Sequence, residues 1–401
     1  MNILVLNPGS SSLKFGLYQC DAGPAGSAPH ETVLLRGAVE NIGRAETSIQ
    51  LATPDGQPPD PVRADSASAA AKAVLERLAG GHYGAWDVQA VACRVVHGGV
   101  RFTQPARVTA ETLDAICGLS SLAPLHNPVD AEVIAAASAA LPAVDVFAVF
   151  DTAFHHTLPE TAYTYALPWE LCREHQIRRY GFHGISHRYA SERLVEALGG
   201  TAAGTRLITC HLGSGASVCA LRDGRSVETS MGLTPLEGLV MGTRCGDVDP
   251  GLLLYLQRRA GLTPESLDEM LNRHSGLAGI SGRSDDVREL TAAAGEGDAR
   301  AELALDVFSH RVRKYIGAYV AVLGGLDAVA FTGGIGEHSA TIRQRVCLEM
   351  SSFGIQLDEA RNTGATGHEM ERISTPGALA GVWVIPADEE RQMAREVSCQ
   401  I

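Results

Sequence analysis

The sequence predicts an α/β protein of two domains built from a duplicated unit. Three observations lead there. The chain has 401 residues, and at roughly 100–200 residues per domain that length suits two. Short apolar strand-like runs alternate with helical stretches throughout, the pattern of α/β layers. The runs ILVLNPGSSSLKFGLY (3–18) and LITCHLGSGASVCALRDG (207–224) also share one plan. Each is an apolar strand, a polar residue, a Gly/Ser turn and a second strand, with Gly9 matching Gly213. A repeated β-turn-β unit at the head of each half signals duplication. Two unrelated Gly/Ser hairpins are the alternative.

In the first half, Ile3–Leu6 is a short strand running into NPGSSS, and Leu13 to Tyr18 returns from it. Residues 21–66, rich in Gly, Pro, Ala and Asp, read as hairpins and loops. A helix is expected from Ser66 to Leu78, stopped by Gly80-Gly81. Val88–Val96 is a buried strand ending at HGG. Asn127-Pro128 is expected to cap a helix running to Ala140, and Val144–Phe150 is a strand ending at Asp151. In the second half, Leu207–Cys210 runs into HLGSGAS. Asp249 and Pro250 have the character of N-cap and first helical residue. A long helix covers Asp298–Leu323, Ala328–Thr332 is a strand running into GGIGE, Val382–Ile385 is a last strand and Asp388–Val397 a last helix.

Hydrophobic residues make up 45% and charged residues 20%, the balance of a globular protein with an ample core. The formal net charge of −13 argues against a nucleic-acid or anionic-membrane partner, and an anionic substrate would need a locally basic pocket. Nine cysteines with no C-x-x-C pair fit a reducing cytosol and argue against a disulfide framework. Cys93, Cys210 and Cys219 read as small buried hydrophobes. The opening MNILVLNPGS lacks the basic n-region and long apolar stretch of a signal peptide, and no run reaches the ~18 apolar residues of a membrane span.

Three glycine loops follow apolar strands: NPGSSS, HLGSGAS and TGGIGE. Glycine lets backbone N–H groups approach phosphates closely. None matches the P-loop or the dinucleotide fingerprint. Singly each reads as a hairpin turn; three in a duplicated chain fit a nucleotide clamped between two domains. Lys14 adds a point charge for a phosphate, or is a solvated strand lysine.

Charged residues at strand ends supply the candidate chemistry. Arg94 lies inside the apolar run CRVVHGG, where an arginine is either paired or binds a ligand. Arg244 is flanked by Gly242 and Gly246. Guanidinium matches carboxylate and phosphate bidentately, so the two could hold a carboxylate and a phosphoryl group together. The alternative is a structural ion pair to an acid such as Asp247. Asp151, directly after a strand, suits cation binding or general-base work, or is a simple turn former. His183, in RRYGFHGISH, could stabilise charge on a phosphoryl oxygen; His126 in PLHNP is a weaker candidate. His187 follows the expected N-cap Ser186 and reads as structural. His155 and His156 lack metal-ligand spacing, so no zinc site is expected.

With these residues in hand, the chain resembles the acetate kinase family over essentially its whole length. The matching stretches are NPGSSSLKF (7–15), RVVHGG (94–99), PLHNP (124–128), FDTAFHHTLP (150–159), RYGFHGISH (179–187), HLGSGAS (211–217), MGLTPLEGLVMGTRCGDVDP (231–250), FTGGIGEHS (331–339) and PADEE (386–390). The resemblance implies two ribonuclease H-like domains of the actin, Hsp70 and sugar-kinase type. These would comprise residues 1–150 with the helix 388–401, and residues 151–387, around a central nucleotide cleft. It implies transfer of the γ-phosphoryl of ATP to acetate, giving acetyl phosphate and ADP, with Mg²⁺ or Mn²⁺, in a cytoplasmic homodimer.

Carried over by resemblance, Arg94 and Arg244 hold acetate and the transferring phosphoryl, His183 and Arg244 stabilise the transition state, and Asp151 is the essential acid. Asn7 and Glu389 help hold the metal. Lys14, the loop of His211, Leu212, Gly213, Ser214 and Gly215, the stretch Asp286, Val287 and Arg288, and the stretch Gly334, Ile335, Gly336, Glu337 and His338 line the nucleotide. Val96, Leu125, Phe182 and Pro235 form the pocket for the substrate methyl. The chain departs from the family at Ser214 and His338, where Asn is usual, and at Val287, often bulkier; nucleotide affinity and selectivity are the properties this touches. Propionate kinase is the alternative activity, and a non-enzymatic ATP-binding module of the Hsp70 or actin type is the alternative class. The four candidates Arg94, Asp151, His183 and Arg244 argue against the latter.

Overall fold

The structure is a computed structural model that describes residues 1–9, 11–21, 30–44, 46–52, 58–84 and 86–401. Ser10 of the first glycine loop and parts of the 21–66 stretch lie outside the described residues. The chain divides into two compact units, Met1–Phe154 with Asp388–Ile401, and His155–Ala387.

The first unit is built on an eight-stranded sheet. Its strands are β1 (Asn2–Pro8), β2 (Leu13–Asp21), β3 (His30–Glu40), β4 (Ser48–Leu51), β5 (Asp60–Pro61), β6 (Ala90–Val95), β7 (Ala106–Arg107) and β8 (Asp145–Phe150), in the order β5-β4-β3-β2-β1-β6-β8-β7. The second unit carries β9 (Arg206–Leu212), β10 (Ala216–Arg222), β11 (Arg225–Thr229), β12 (Ala328–Thr332), β13 (Glu371–Arg372) and β14 (Gly381–Val384), ordered β11-β10-β9-β12-β14-β13.

The repeat seen in two hairpins extends to five strands. In the first sheet β3, β2 and β1 are antiparallel neighbours, then β6 and β8 run parallel to β1. In the second, β11, β10 and β9 are antiparallel, then β12 and β14 run parallel to β9. Parallel pairs require crossovers, usually helical, and helices 127–140 and 299–323 lie on those connections. The central strands are buried on both faces, as near-continuous apolar runs require: Ile3 to Leu6, Val91 to Cys93 and Ala328 to Phe331 are almost wholly enclosed. Cys93, Cys210 and Cys219 are buried among them.

Helix ends follow their caps. Ser66 accepts from Ala69 N, Asp298 from Arg300 N and Ala301 N, and Asp249 from Gly251 N ahead of Pro250. Each satisfies backbone donors that the first helical turn leaves orphaned. Two expected caps are corrected. Asn127 is the first residue inside its helix, with His126 preceding it, because its amide is taken by the neighbouring turn: Oδ1 accepts from His97 N at 3.0 Å and Nδ2 donates to His97 O at 3.0 Å. Ser186 lies within helix Gly184–Ala197, which begins after His183; its hydroxyl is bonded to His211 Nδ1 at 2.8 Å. The expected open turn GGIGE is also corrected: Gly333–His338 is a short helix. Gly333 has φ of 75°, and a Cβ there would stand 2.7 Å from Leu212 O. Only glycine admits that approach.

Candidate active site

The candidate residues fall into two groups, one per unit. In the first, β1, β6 and β8 end side by side and deliver Asn7, Arg94 and Asp151 from their carboxyl ends, where α/β sheets place functional side chains. Arg94 donates to Asp151 Oδ2 from Nη2 at 2.5 Å and Nε at 3.2 Å. Its Nη1 donates to Pro8 O at 3.1 Å and lies 3.5 Å from Asn7 Oδ1. One Nη2 hydrogen is thereby left for a ligand. Asp151 is 2% exposed. Burial pushes its carboxyl up and the adjacent Glu389 adds to this, while the Arg94 guanidinium pulls it down. For Arg94, burial opposes the charge, and Asp151 outweighs it, holding the group firmly charged.

Asn7 Nδ2 donates to Glu389 Oε2 at 3.1 Å and to Glu390 Oε1 at 2.7 Å. Glu390 is buried and its carboxyl is raised by that burial. Hard divalent cations take oxygen ligands. Asn7 Oδ1, Glu389, Glu390 and Asp151 supply only oxygens, but among the described residues no three acidic, His or Cys side chains are grouped so as to hold a metal ion by themselves. Lys14 is exposed on β2 and pairs with Asn7 in the strand register. The turn after β6 is clamped from helix 127–140 and the end of β8. Val96 N donates to Asp130 Oδ2 at 2.9 Å and Gly98 N to Thr152 Oγ1 at 3.0 Å. Val96 is buried, whereas Leu125 is 56% exposed. Burial pushes the Asp130 carboxyl up to about 7, against the opposing Val96 N–H and Arg94.

In the second unit, His183 precedes helix Gly184–Ala197 in the left-handed region, φ 57°, an uncommon conformation that often marks a functional residue. Its ring stacks on His211 with centroids 4.3 Å apart, and Nδ1 lies 2.9 Å from Ser217 Oγ. Arg244 Nη1 donates to Pro235 O at 3.2 Å. Among the described residues no carboxylate lies within ion-pair distance of Arg244, and burial lowers its pKa. Asp247, the acid suspected as its partner, accepts instead from Tyr315 Oη at 2.8 Å and Gly238 N at 2.9 Å, and pairs with Arg311 at 3.4 Å. A Cβ built on Gly215 would lie 3.3 Å from His183 Nε2 and 3.6 Å from Arg244 Nη1. Two nitrogens therefore converge on the open space beside that glycine.

Two of the nucleotide candidates lie side by side in the second unit. His211 pairs with Thr332 in the β9–β12 register, which brings the 211–215 turn beside helix 333–338. Gly242 N donates to Ser214 O at 3.1 Å. Within that helix Gly334 and His338 are exposed, Ile335 is half-buried, and Gly336 and Glu337 are buried. Glu337 Oε1 accepts from Ala387 N at 2.9 Å, so it serves the fold. His338 Nδ1 lies 2.8 Å from Thr366 O. Asp286 caps helix Val287–Gly295 and pairs with Arg288 at 2.5 Å, while Val287 is buried. Phe182 is buried and Pro235 half-buried.

Sequence reasoning missed Asn127, Asp130 and Thr152 as clamps of the 96–98 turn. It also missed Arg343, wholly buried, which donates to Gly336 O, Glu337 O, Asn362 Oδ1 and Asn362 O at 2.7–2.9 Å and so secures helix 333–338. A buried arginine in ATIRQRVC gives no local sign of the carbonyls it serves.

Two copies of one five-strand plan, each headed by a hairpin with a glycine turn, define a duplicated α/β protein. The model of the acetokinase family matches residues 2–395, and the chain belongs to that family. It is 44% identical to an acetate kinase of Dictyoglomus turgidum over 99% of this chain and 96% of that protein. Among solved structures, a Porphyromonas gingivalis acetate kinase superimposes with a TM-score of 0.89 at 40% identity, covering 99% of both chains. A Francisella tularensis propionate kinase does so with 0.88 at 38% identity, covering 98% of both. Among the described residues no helix is long and apolar enough to cross a membrane.

Proposed function

We propose that this protein reversibly transfers the γ-phosphoryl group of Mg-ATP to acetate, giving acetyl phosphate and ADP. The observation that carries the reading is Arg244: a largely buried guanidinium with no acid partner among the described residues, converging with His183 Nε2 beside Gly215, in a chain of the acetokinase family. A withdrawn, unneutralised cation is completed by an anion.

A carboxylate with a pKa near 4.3 is already ionised at neutral pH and needs no general base. The task is to bring two anions in line and stabilise charge spread over the equatorial phosphoryl oxygens. Direct transfer without a phosphoenzyme follows. Arg244 and His183 donate to those oxygens. The Nη2 hydrogen of Arg94 not spent on Asp151 goes to the acetate carboxylate, with Asp151 fixing the guanidinium. Val96, Leu125, Phe182 and Pro235 bound the methyl group. Lys14, residues 211–215, 286–288 and 334–338 line the nucleotide. Asn7 and Glu389 would help hold Mg²⁺ or Mn²⁺, which would supply charge neutralisation on the phosphates. Each unit is read as one ribonuclease H-like domain, and the protein as a cytoplasmic homodimer.

The test is a coupled ADP-release assay with acetate, propionate and butyrate in parallel, trapping acyl phosphate with hydroxylamine. Highest kcat/KM on acetate supports the reading. Highest kcat/KM on propionate, the substrate named for the Francisella tularensis relative, moves the assignment there. Absence of acyl phosphate from every acid overturns it.

A further inference from the structure

Four imidazoles of the second unit form one cluster. His183 stacks on His211, and His187 meets His155 and His211 edge-on with centroids 5.8 and 6.4 Å apart. Hydroxyls link two of them in a line. Thr209 Oγ1 lies 2.7 Å from His187 Nδ1, Ser217 Oγ 2.7 Å from His187 Nε2, and the same Oγ 2.9 Å from His183 Nδ1. Thr209, Ser217 and His187 have no exposed surface.

Counting protons gives the line a direction. A neutral imidazole carries one N–H, and a hydroxyl carries one O–H. Buried donors are almost always satisfied. The Thr209 hydroxyl has His187 Nδ1 as its hydrogen-bond partner and no other among the described residues. Were His187 to donate from Nδ1, the Thr209 proton would be stranded in the interior. Thr209 therefore donates to Nδ1, and the proton of His187 sits on Nε2 and goes to Ser217 Oγ. The single Ser217 proton then goes to His183 Nδ1, which leaves Nε2 as the place for the proton on that ring. Burial, with the neighbouring His155 and His211, holds His187 well below the usual imidazole range and hence neutral. His155 anchors the same region: its Nε2 donates to Phe182 O at 3.1 Å, directly before His183.

We propose that Thr209, Ser217 and His187 are positioning residues forming a one-directional chain that fixes His183 in the Nε2–H tautomer. The nitrogen that converges with Arg244 beside Gly215 is then a donor and not a lone pair, as stabilising a phosphoryl oxygen requires. What the donor does rests on the kinase reading above; the tautomer does not.

The experiment combines ¹⁵N-histidine NMR of the full chain with steady-state kinetics. His183→Gln assigns the His183 ring signals. The wild type is expected to show protonated Nε2 and unprotonated Nδ1 for both His183 and His187. Ser217→Ala removes the donor to His183 Nδ1, so that ring is no longer held in one tautomer. Protonated Nδ1 is expected to appear on His183, while His187, still receiving the Thr209 hydroxyl, keeps its Nε2 proton, and kcat is expected to fall by up to about 10²-fold, the cost of losing one preorganised donor, with KM for ATP and acetate unchanged. Thr209→Val is expected to move the His187 Nδ1 resonance toward that of a bare lone pair while the proton stays on Nε2, because a proton on Nδ1 would then face a methyl group. Should Ser217→Ala not fold, the wild-type spectrum alone decides the tautomer. Protonated Nδ1 on His183 in the wild type overturns the proposal, and so does a switched tautomer at undiminished kcat. A wild type with the expected tautomer and no acyl phosphate from any acid removes the kinase reading and leaves the chain standing.

Discussion

Arg94 and Arg244 are each withdrawn from water, one per unit, and their surroundings differ in kind. Arg94 is matched by Asp151 at 2.5 Å and set among further carboxylates at Asn7. Arg244 is held by a carbonyl, with an imidazole and a glycine nearby. The first unit resolves its charge internally and supplies oxygens. The second leaves a cation unneutralised. Internal pairing stabilises the empty protein, and an unpaired buried cation costs stability until an anion arrives. The two arginines should therefore respond oppositely to removal of charge around them.

The largest effect is expected at Asp151. Asp151→Asn leaves Arg94 buried and unpaired, which costs about 3–5 kcal/mol, and frees the guanidinium that Asp151 holds. The melting temperature should fall, and kcat should drop far more than KM rises. An unchanged kcat would remove Asp151 from the mechanism.

Arg244→Met is the converse. Losing a preorganised donor should lower kcat about 10²–10³-fold, yet calorimetry should show the variant as stable as the wild type or roughly 1 kcal/mol more so, since an unpaired buried charge is gone. A clear loss of stability would mean that Arg244 is a structural cation after all, and the contrast between the units would collapse.

A third effect tests the carboxylate-rich unit by pH. Burial raises Asp130 to about 7 in the folded chain, from about 3.9 when unfolded. The folded state thus binds this proton more tightly. The stability it confers is fully present below about pH 4 and is lost as pH rises through 7. The ceiling is about 4 kcal/mol. Asp130→Asn keeps an acceptor for Val96 N and removes the titration. Its stability relative to wild type should therefore improve steadily from pH 4 to pH 8; a gap that does not change with pH would show that Asp130 is not the titrating group.

The smallest effect is expected at the methyl pocket. One methylene is worth about 1–3 kcal/mol in such a pocket. Val96→Ala should shift kcat/KM toward propionate by roughly tenfold, with KM for ATP unaltered. No gain on propionate would place the pocket elsewhere.

Much of this was legible without coordinates because it is locally encoded. An apolar run followed by a Gly/Ser turn folds into a hairpin whatever surrounds it, so β1–β2 and β9–β10, and with them the duplication, could be read from residues 3–18 and 207–224. Asp249-Pro250 and Asp298 mark helix starts for equally local reasons. The long motifs sufficed to suggest the family. Local signals failed where a side chain had a distant claim on it. Asn127 and Ser186 have the composition of caps, but each is engaged by a turn or ring from another element.

The sequence by itself therefore determined the strands, the glycine turns, the repeated unit and the family. These depend on apolar periodicity and backbone freedom within a few residues. Tertiary structure alone decided that the fork of Arg94 is spent on an acid 57 residues away, that Asp247 serves Arg311 and Tyr315 and that Arg244 has no acid partner among the described residues, and that Thr209, Ser217 and His187 stand in line with His183. Hydrogen bonds are directional and short, so which donors meet which acceptors is fixed only once strand order and register bring distant residues within about 3 Å.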